Sequence, residues 1–233
     1  MHVERYPAHD RRALLKNGAV LAAALAIPSA VAASARKLTQ RDLMPMREPP
    51  VPVVPVVQPV TSSRVVRPDL LRQALAALDR HAGKIARRDK VAIADMDAPS
   101  SQPRFHIVDL RTGASTSFLV AHGSGSDPAH TGFLKRFSND FGSNATSEGA
   151  FVTADYYVGK HGSSQRLIGL DPSNCNAFGR NIVVHSAWYA NKDMLATHGM
   201  LGRSQGCFAV GEGELDRVFA MMGTGRMIYA AKV

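Results

Sequence analysis

A cysteine that ends a short glycine turn, with a histidine upstream, is the feature of this sequence with the clearest chemical meaning. The turn reads Ser204-Gln205-Gly206-Cys207, and His185-Ser186 follows the β-branched run at 181–184. A thiol becomes a strong nucleophile once a base or a positive environment converts it to the thiolate. A glycine before it permits a tight turn in which the N–H groups of Gly206 and Cys207 point at an oxyanion. The pattern therefore predicts nucleophilic acyl transfer.

The histidine at the end of the β-branched run is the preferred general base, because a strand end holds a side chain rigidly. We expect His185 to form a thiolate–imidazolium pair with Cys207 and a backbone carbonyl near Ser186 or Ala187 to orient its ring. His198, in Thr197-His198-Gly199, is the competing base. Zinc binding by Cys207 is excluded by ligand count, since no second cysteine or spaced histidine pair lies nearby. The sequence predicts no metal and no cofactor.

These residues also carry a family resemblance. The pattern His-Ser … Ser-x-Gly-Cys resembles the active-site signature of the YkuD-type L,D-transpeptidases. Upstream segments are similar to the murein L,D-transpeptidase catalytic-domain group, and they lie at 120–127, 137–143 and 201–204. Two positions depart from the family pattern: Gln205 stands where histidine is commoner, and Ala209 stands where arginine is frequent. Without that arginine, a substrate carboxylate needs another basic partner.

The resemblance, over residues 90 to 233, implies a mainly-β L,D-transpeptidase-like sandwich or barrel with an N-terminal helix and long functional loops. It also implies the substrate, peptidoglycan stem peptides. Cys207 would expel the terminal D-alanine and form a thioester, and an amine of a neighbouring stem would resolve it into a 3-3 crosslink. If water resolves the thioester, the activity is that of an L,D-carboxypeptidase. A non-catalytic peptidoglycan-binding module is the alternative from another class. The resemblance further implies acylation by carbapenems.

Several residues near the turn are candidates for substrate binding. Arg203 is the natural partner of a substrate carboxylate, because a guanidinium binds a carboxylate through two hydrogen bonds; the alternative is an ordinary surface arginine. His122, in a Gly/Ser-rich loop, either lines the cleft or hydrogen-bonds within the loop. The remaining candidates are Ser186, His198 and Ser204.

The N-terminal part of the chain reads as an export signal followed by a spacer. Residues 1–35 contain Asp10-Arg11-Arg12 and a short apolar run, as in a cleaved twin-arginine signal. A retained membrane anchor is the alternative. Residues 36–68 form a linker rich in Pro and Val, 69–89 a packing helix, and 90–233 the catalytic domain. Export places the protein in the periplasm or cell envelope.

Charge and cysteine content narrow the possible partners. The formal net charge is +9, but the basic residues are scattered and the chain is exported, so we predict no nucleic-acid partner. A basic protein would instead stay near the carboxylates of the cell wall. The only cysteines are Cys175 and Cys207; a disulfide between them would silence the nucleophile, and the alternative is an unpaired, half-buried Cys175. The sequence gives no indication of an oligomeric state.

Short apolar segments predict the sheet. Strands are expected at 91–94, 105–110, 116–120, 151–158, 166–170, 181–184 and 227–231, separated by loops rich in Gly, Ser and Asn. The longest of these loops spans 122–149. A mostly-β domain that carries its functional residues on loops fits this pattern.

Overall fold

The structure, a computed structural model, describes residues 65–233. The predicted signal at 1–35 and all but the last residues of the predicted linker at 36–68 lie outside the described residues. Among residues 65–233, no helix is long and apolar enough to cross a membrane.

The described chain is mainly β, as predicted. Helix α1 spans Pro68–Arg80, α2 spans Asp193–His198, and α3 spans Leu215–Met222. The eight strands are β1 Lys90–Asp95, β2 Phe105–Asp109, β3 Ser115–Phe118, β4 Gly149–Gly159, β5 Gly162–Gly169, β6 Val183–Ser186, β7 Phe208–Val210 and β8 Met227–Ala231.

All eight strands belong to one sheet, which curls until its two ends meet. The strand order is β3-β2-β1-β8-β4-β5-β6-β7, and only the β1–β8 and β6–β7 pairs are parallel. The rings of Phe105 on β2 and Phe208 on β7 lie 6.3 Å apart although five strands separate them in the sheet. Just after β3, Ala121 forms a β-bridge with Ala209 of β7. The sheet therefore closes on itself like a barrel, as the resemblance implies.

Helix α1 covers the outer side of this sheet. Leu70, Ala74, Ala77 and Leu78 are buried, and their spacing places them on one helical face. This face packs against a buried cluster that includes Ile93. The helix starts at Pro68, a residue suited to the first helical position.

The predicted helix at 69–89 is too long, because α1 ends at Arg80 and only a 3-10 turn follows at Ala82–Lys84. Gly83 disfavours continuation of the helix. Ile85 adopts an extended conformation and is buried, which turns the chain towards β1.

Three elements of the described chain were not predicted from the sequence. Strand β7 has only three residues, and α2 only six, so neither spans enough residues to show a clear periodicity. Helix α3 does show one, since Leu215, Val218 and Met222 recur on one face and are buried.

Candidate active site

Two neighbouring parallel strands bring Cys207 and His185 to one place. Val184 of β6 pairs with Phe208 of β7, and both side chains belong to the main core. Because side chains alternate along a strand, their neighbours His185 and Cys207 face away from that core. Both line a cavity of about 810 Å³. The other ionisable residues of its wall are Tyr157, Lys160, His161, Arg180, Tyr189 and Arg203.

The turn before the cysteine is held together by the hydroxyl group of Ser204. This Oγ donates to the carbonyl of Cys207 at 2.7 Å and accepts the Gly206 N–H at 3.1 Å. Gly206 has φ +113°, which a residue with a side chain rarely adopts. Since the Gly206 N–H is already bonded, the prediction that it contributes to an oxyanion hole is wrong for this geometry. Ser204 does not engage the N–H of Cys207.

A glycine-containing loop supports this turn from below. The Ser204 N–H donates to the carbonyl of His122 at 2.9 Å, and the Ser204 carbonyl accepts the Ser124 N–H at 2.8 Å. A Cβ on Gly123 would lie 2.7 Å from the Gly206 nitrogen. The two backbones therefore approach so closely that only glycine fits at this position.

The thiol of Cys207 is almost enclosed. Its residue is 6% exposed, and Sγ lies 3.5 Å from the carbonyl oxygen of Asn181. Burial raises the pKa of Cys207, and a hydrogen bond from the Val183 backbone and the charges of Lys160 and Arg180 offset only part of this rise. The thiol is therefore protonated at rest near neutral pH and requires a base.

The geometry around His185 leaves one ring nitrogen free to act as that base. Nδ1 lies 2.8 Å from the Ser186 carbonyl. A carbonyl only accepts hydrogen bonds, so Nδ1 carries the proton and Nε2 of the neutral ring keeps its lone pair. The expected orienting carbonyl near Ser186 is thus present.

His185 is also part of an imidazole stack. The ring of His161, at the β4–β5 turn, lies 4.4 Å from that of His185, centroid to centroid. Burial lowers the pKa of His185, and the charges of His161 and Lys160 lower it further, against the effect of the Ser186 hydrogen bond. A raised thiol pKa and a lowered imidazole pKa both favour the neutral pair. Both directions disfavour the expected resting thiolate–imidazolium pair.

Three cations face the same cavity. Arg203 lines it, and its Nη1 donates to the backbone carbonyls of Asp127 and Pro128. Lys160 forms neither an ion pair nor a hydrogen bond within residues 65–233. Arg180 is fixed by four hydrogen bonds to the loop at 138–147. No Asp or Glu of the described residues lines this cavity.

Sequence reasoning missed Arg180, Lys160 and His161. The sequence did contain a signal for Lys160 and His161. They lie between Gly159 and Gly162, and this pattern indicates a turn that exposes both side chains. Arg180 directly precedes the β-branched segment that leads to His185, so its neighbourhood on the chain was available as a hint.

Two of the predicted substrate-binding residues lie away from the cavity. His198 is exposed at the end of α2 and is not part of the cavity wall. His122 is 1% exposed, and its Nδ1 lies 2.7 Å from Nη2 of Arg104. Burial, reinforced by the charge of Arg104, lowers the pKa of His122 to about 3. His122 thus supports the loop beneath the turn and does not line the cleft.

The other predicted contacts have mixed outcomes. Ser204 lies at the cavity wall, but its hydroxyl is bonded within the turn. Ser186 reaches the site through its backbone carbonyl, and its side chain is not part of the wall.

Cys175 is free and exposed, and Cys207 is free and buried, so the two form no disulfide; the expected half-buried position of Cys175 is wrong. Within residues 65–233, no cluster of three or more metal-ligating side chains occurs.

Comparison with known proteins adds a family match over most of the chain. The family profile described as L,D-transpeptidase catalytic domain matches residues 62–231. No curated protein has a significant sequence match to this chain.

Several solved structures are similar in part. An L,D-transpeptidase from Mycobacterium smegmatis aligns at 14% identity and TM-score 0.38, covering 61% of this chain and 58% of that one. L,D-transpeptidase 3 from Mycobacterium tuberculosis, solved with a faropenem-derived adduct, aligns at 13% identity and TM-score 0.39, covering 62% of this chain and 60% of that one. The helical cell shape determining protein Pgp2 from Campylobacter jejuni aligns at 11% identity and TM-score 0.41, covering 72% of this chain and 57% of that one. The chain thus spans less than two thirds of the length of these structures.

Proposed function

The chain belongs to the L,D-transpeptidase catalytic domain family, and from this we propose that it is a cysteine L,D-transpeptidase that acts on peptidoglycan stem peptides. One observation supports the proposal most: Cys207 and His185 share one cavity wall, and the Ser186 carbonyl holds His185 with Nε2 unprotonated. A neutral thiol and a neutral imidazole that face one cavity suit general-base activation of a cysteine.

In the first half of the reaction, Nε2 of His185 takes the proton of the Cys207 thiol while Sγ attacks the carbonyl carbon at the L-centre of the diamino acid. A new C–S bond forms, and the carbonyl oxygen becomes an oxyanion. The C–N bond to the terminal D-alanine then breaks, and the leaving amine takes the proton from His185. The product is a thioester on Cys207.

We assign stabilisation of the oxyanion to the Cys207 N–H, because Ser204 holds the other amide of the turn. The negatively charged ends of the substrate need cations, and Ala209 replaces the arginine that often follows the cysteine in this family. The Nη1 of Arg203 is already hydrogen-bonded, whereas its Nε and Nη2 form no hydrogen bond within residues 65–233 and are available. Lys160 forms no ion pair within the same residues. These two residues are our candidates for binding substrate carboxylates.

In the second half, an acceptor attacks the thioester carbonyl, and His185 removes the acceptor's proton. An amine from a neighbouring stem peptide gives a 3-3 crosslink, whereas water gives a shortened stem peptide. In both cases the C–S bond breaks and the proton returns to the thiol, so Cys207 is regenerated.

This chemistry requires export, and we propose that residues 1–35 are a cleaved twin-arginine signal. They carry four basic and two acidic residues, so their removal changes the formal net charge from +9 to +7. The mature protein would remain attracted to the acidic cell wall.

The test uses covalent labelling, followed by the natural type of substrate. A carbapenem should add its mass to the wild-type protein and to Cys175→Ala, the matched control, but not to Cys207→Ala. An adduct that persists in Cys207→Ala, or maps to Cys175, would refute the nucleophile.

Incubation with a disaccharide tetrapeptide then identifies the reaction. A crosslinked dimer supports transpeptidation, and a tripeptide alone supports the carboxypeptidase. If neither product nor adduct forms and the substrate still binds, the protein is a peptidoglycan-binding module.

A further inference from the structure

Arg180 is a half-buried cation with no part in the catalytic scheme, and four hydrogen bonds hold its guanidinium. Its Nη1 donates to the Ser138 carbonyl at 2.8 Å and to Ser147 Oγ at 2.7 Å. Its Nη2 donates to Ser143 Oγ at 3.1 Å and to the Ala145 carbonyl at 2.6 Å. All four partners lie in one loop, 138–147.

These bonds decide what Arg180 can do. A guanidinium has five N–H donors, four of them on the two Nη atoms, and the four hydrogen bonds use both of these atoms. Only Nε remains, so Arg180 cannot bind a substrate carboxylate through two hydrogen bonds. Its four acceptors are neutral oxygens, and none of the ion pairs formed within residues 65–233 includes it.

The loop held by Arg180 touches the nucleophile turn directly. A Cβ on Gly206 would lie 2.7 Å from the Ala145 carbonyl oxygen, the same atom that accepts the shortest of the four bonds. Arg180 therefore fixes a loop that packs against Gly206, the residue before the nucleophile. The guanidinium also lies in the wall of the cavity that contains Cys207.

Other charged and titratable groups face Cys207 from neighbouring elements. Lys160 and His161 come from the β4–β5 turn, His185 from β6, Tyr189 from the turn after β6, and Arg203 from the segment before the nucleophile. The side chain of Lys160 forms no hydrogen bond within the described residues, and the Nη1 of Arg203 donates to the backbone carbonyls of Asp127 and Pro128. Among the cations of this wall, Arg180 has the largest number of hydrogen bonds.

We propose that Arg180 is a positioning residue that holds the loop at 138–147 against the nucleophile turn and keeps a permanent positive charge beside Cys207, stabilising the thiolate as it forms. Arg180 forms no ion pair within residues 65–233, although the Asp140 carboxylate of the same loop attracts it. An anion that appears on Cys207 during the reaction is therefore stabilised by a cation that no carboxylate contacts. This inference extends the proposed function, in which Cys207 is the nucleophile.

The test measures the thiol of Cys207 without any substrate. Cys175→Ala serves as the background, so that Cys207 is the only thiol, and the rate of alkylation by iodoacetamide is followed against pH. Arg180→Gln removes the charge, and Arg180→Lys keeps it while losing most of the hydrogen bonds. Arg111→Gln, at an exposed position in the β2–β3 turn outside the cavity wall, controls for the change in net charge.

Arg180→Gln should raise the apparent thiol pKa by about one unit, within the range for loss of a nearby opposite charge. The alkylation rate below that pKa should then fall about tenfold. Arg180→Lys should stay close to the parent profile, as should Arg111→Gln. An unchanged profile in Arg180→Gln, or equal shifts in the Lys and Gln variants, would overturn the electrostatic role.

Folding is checked for each variant by circular dichroism. If Arg180→Gln does not fold, the folded Arg180→Lys variant decides: a profile like that of the parent supports the proposal, and an upward shift overturns it. The alkylation assay does not depend on peptidoglycan chemistry. A missing carbapenem adduct with the expected alkylation shifts would therefore refute the proposed function alone.

Discussion

Replacement of Gly206 by alanine should lower both the free energy of unfolding and the reactivity of Cys207. The loss of stability has two separate causes, backbone strain and overpacking, and substitutions at other glycines measure each cause alone. Gly206 has φ +113°, outside the regions that L residues populate, and such strain costs on the order of 1–3 kcal/mol. The new Cβ would also lie 2.7 Å from the Ala145 carbonyl oxygen and 2.7 Å from Ile182 Cδ1. Overpacking of this kind costs about 1–3 kcal/mol.

The sum, about 2–6 kcal/mol, is a large part of the stability of an ordinary domain, about 5–15 kcal/mol. Three control substitutions separate its parts. Gly83→Ala adds a methyl into open space at an ordinary φ and should be neutral or stabilising. Gly142→Ala meets only the strain of φ +74°, about 1–2 kcal/mol. Gly123→Ala meets only a clash, including the Gly206 nitrogen.

The assay is urea unfolding followed by far-ultraviolet circular dichroism, with Cys207 alkylation measured on the folded protein. We expect Gly206→Ala to lose more stability than Gly142→Ala and to slow alkylation, because the clash displaces the turn that carries the thiol. A free energy of unfolding equal to that of Gly142→Ala would refute the clash with Ala145. A free energy of unfolding equal to that of Gly83→Ala would also refute the backbone strain at position 206.

Three further predictions address the base, an ion pair and the export signal. His185→Ala should slow carbapenem acylation on the order of 10²–10⁴-fold, whereas His198→Ala, in an exposed position, should leave the rate unchanged; the reverse result would exchange their roles. The hydrogen-bonded Arg226 guanidinium lowers the pKa of Asp89 from 3.8 to about 2, so this carboxylate stabilises the fold above its unfolded pKa, and that contribution is lost as the pH falls towards 2. The urea midpoint of Asp89→Asn should therefore decline less than that of the wild type between about pH 4 and pH 2, and parallel curves would contradict this. Replacement of Arg11-Arg12 by two lysines should leave the precursor in the cytoplasm, as seen by cell fractionation, and normal processing of that variant would exclude the twin-arginine route.

The sequence alone was sufficient where the determining interactions are local. Pro68 marks the start of α1, and short apolar segments between loops rich in Gly, Ser and Asn located seven of the eight described strands. The same local logic indicated that His185 stands at a strand end and that Gly206 forms a tight turn. The mainly-β fold followed from these segments together with the family resemblance.

The tertiary structure decided which atoms are available for chemistry. The Gly206 N–H is bonded by the hydroxyl of Ser204, two residues earlier, and His122 is buried beneath the turn beside Arg104. Neither outcome follows from residue type, because a hydrogen bond depends on where a donor and an acceptor lie after the chain has packed.

The electrostatics of the site depend on contacts that are distant along the chain. The β4–β5 turn places Lys160 and His161 at the cavity, and hydrogen bonds to the loop at 138–147 hold Arg180 there. Packing also buries Cys207, which raises the pKa of its thiol. The sequence indicated that a thiol and an imidazole act together. Burial, which only packing creates, favours the neutral form of both groups, and the surrounding cations oppose this for the thiol.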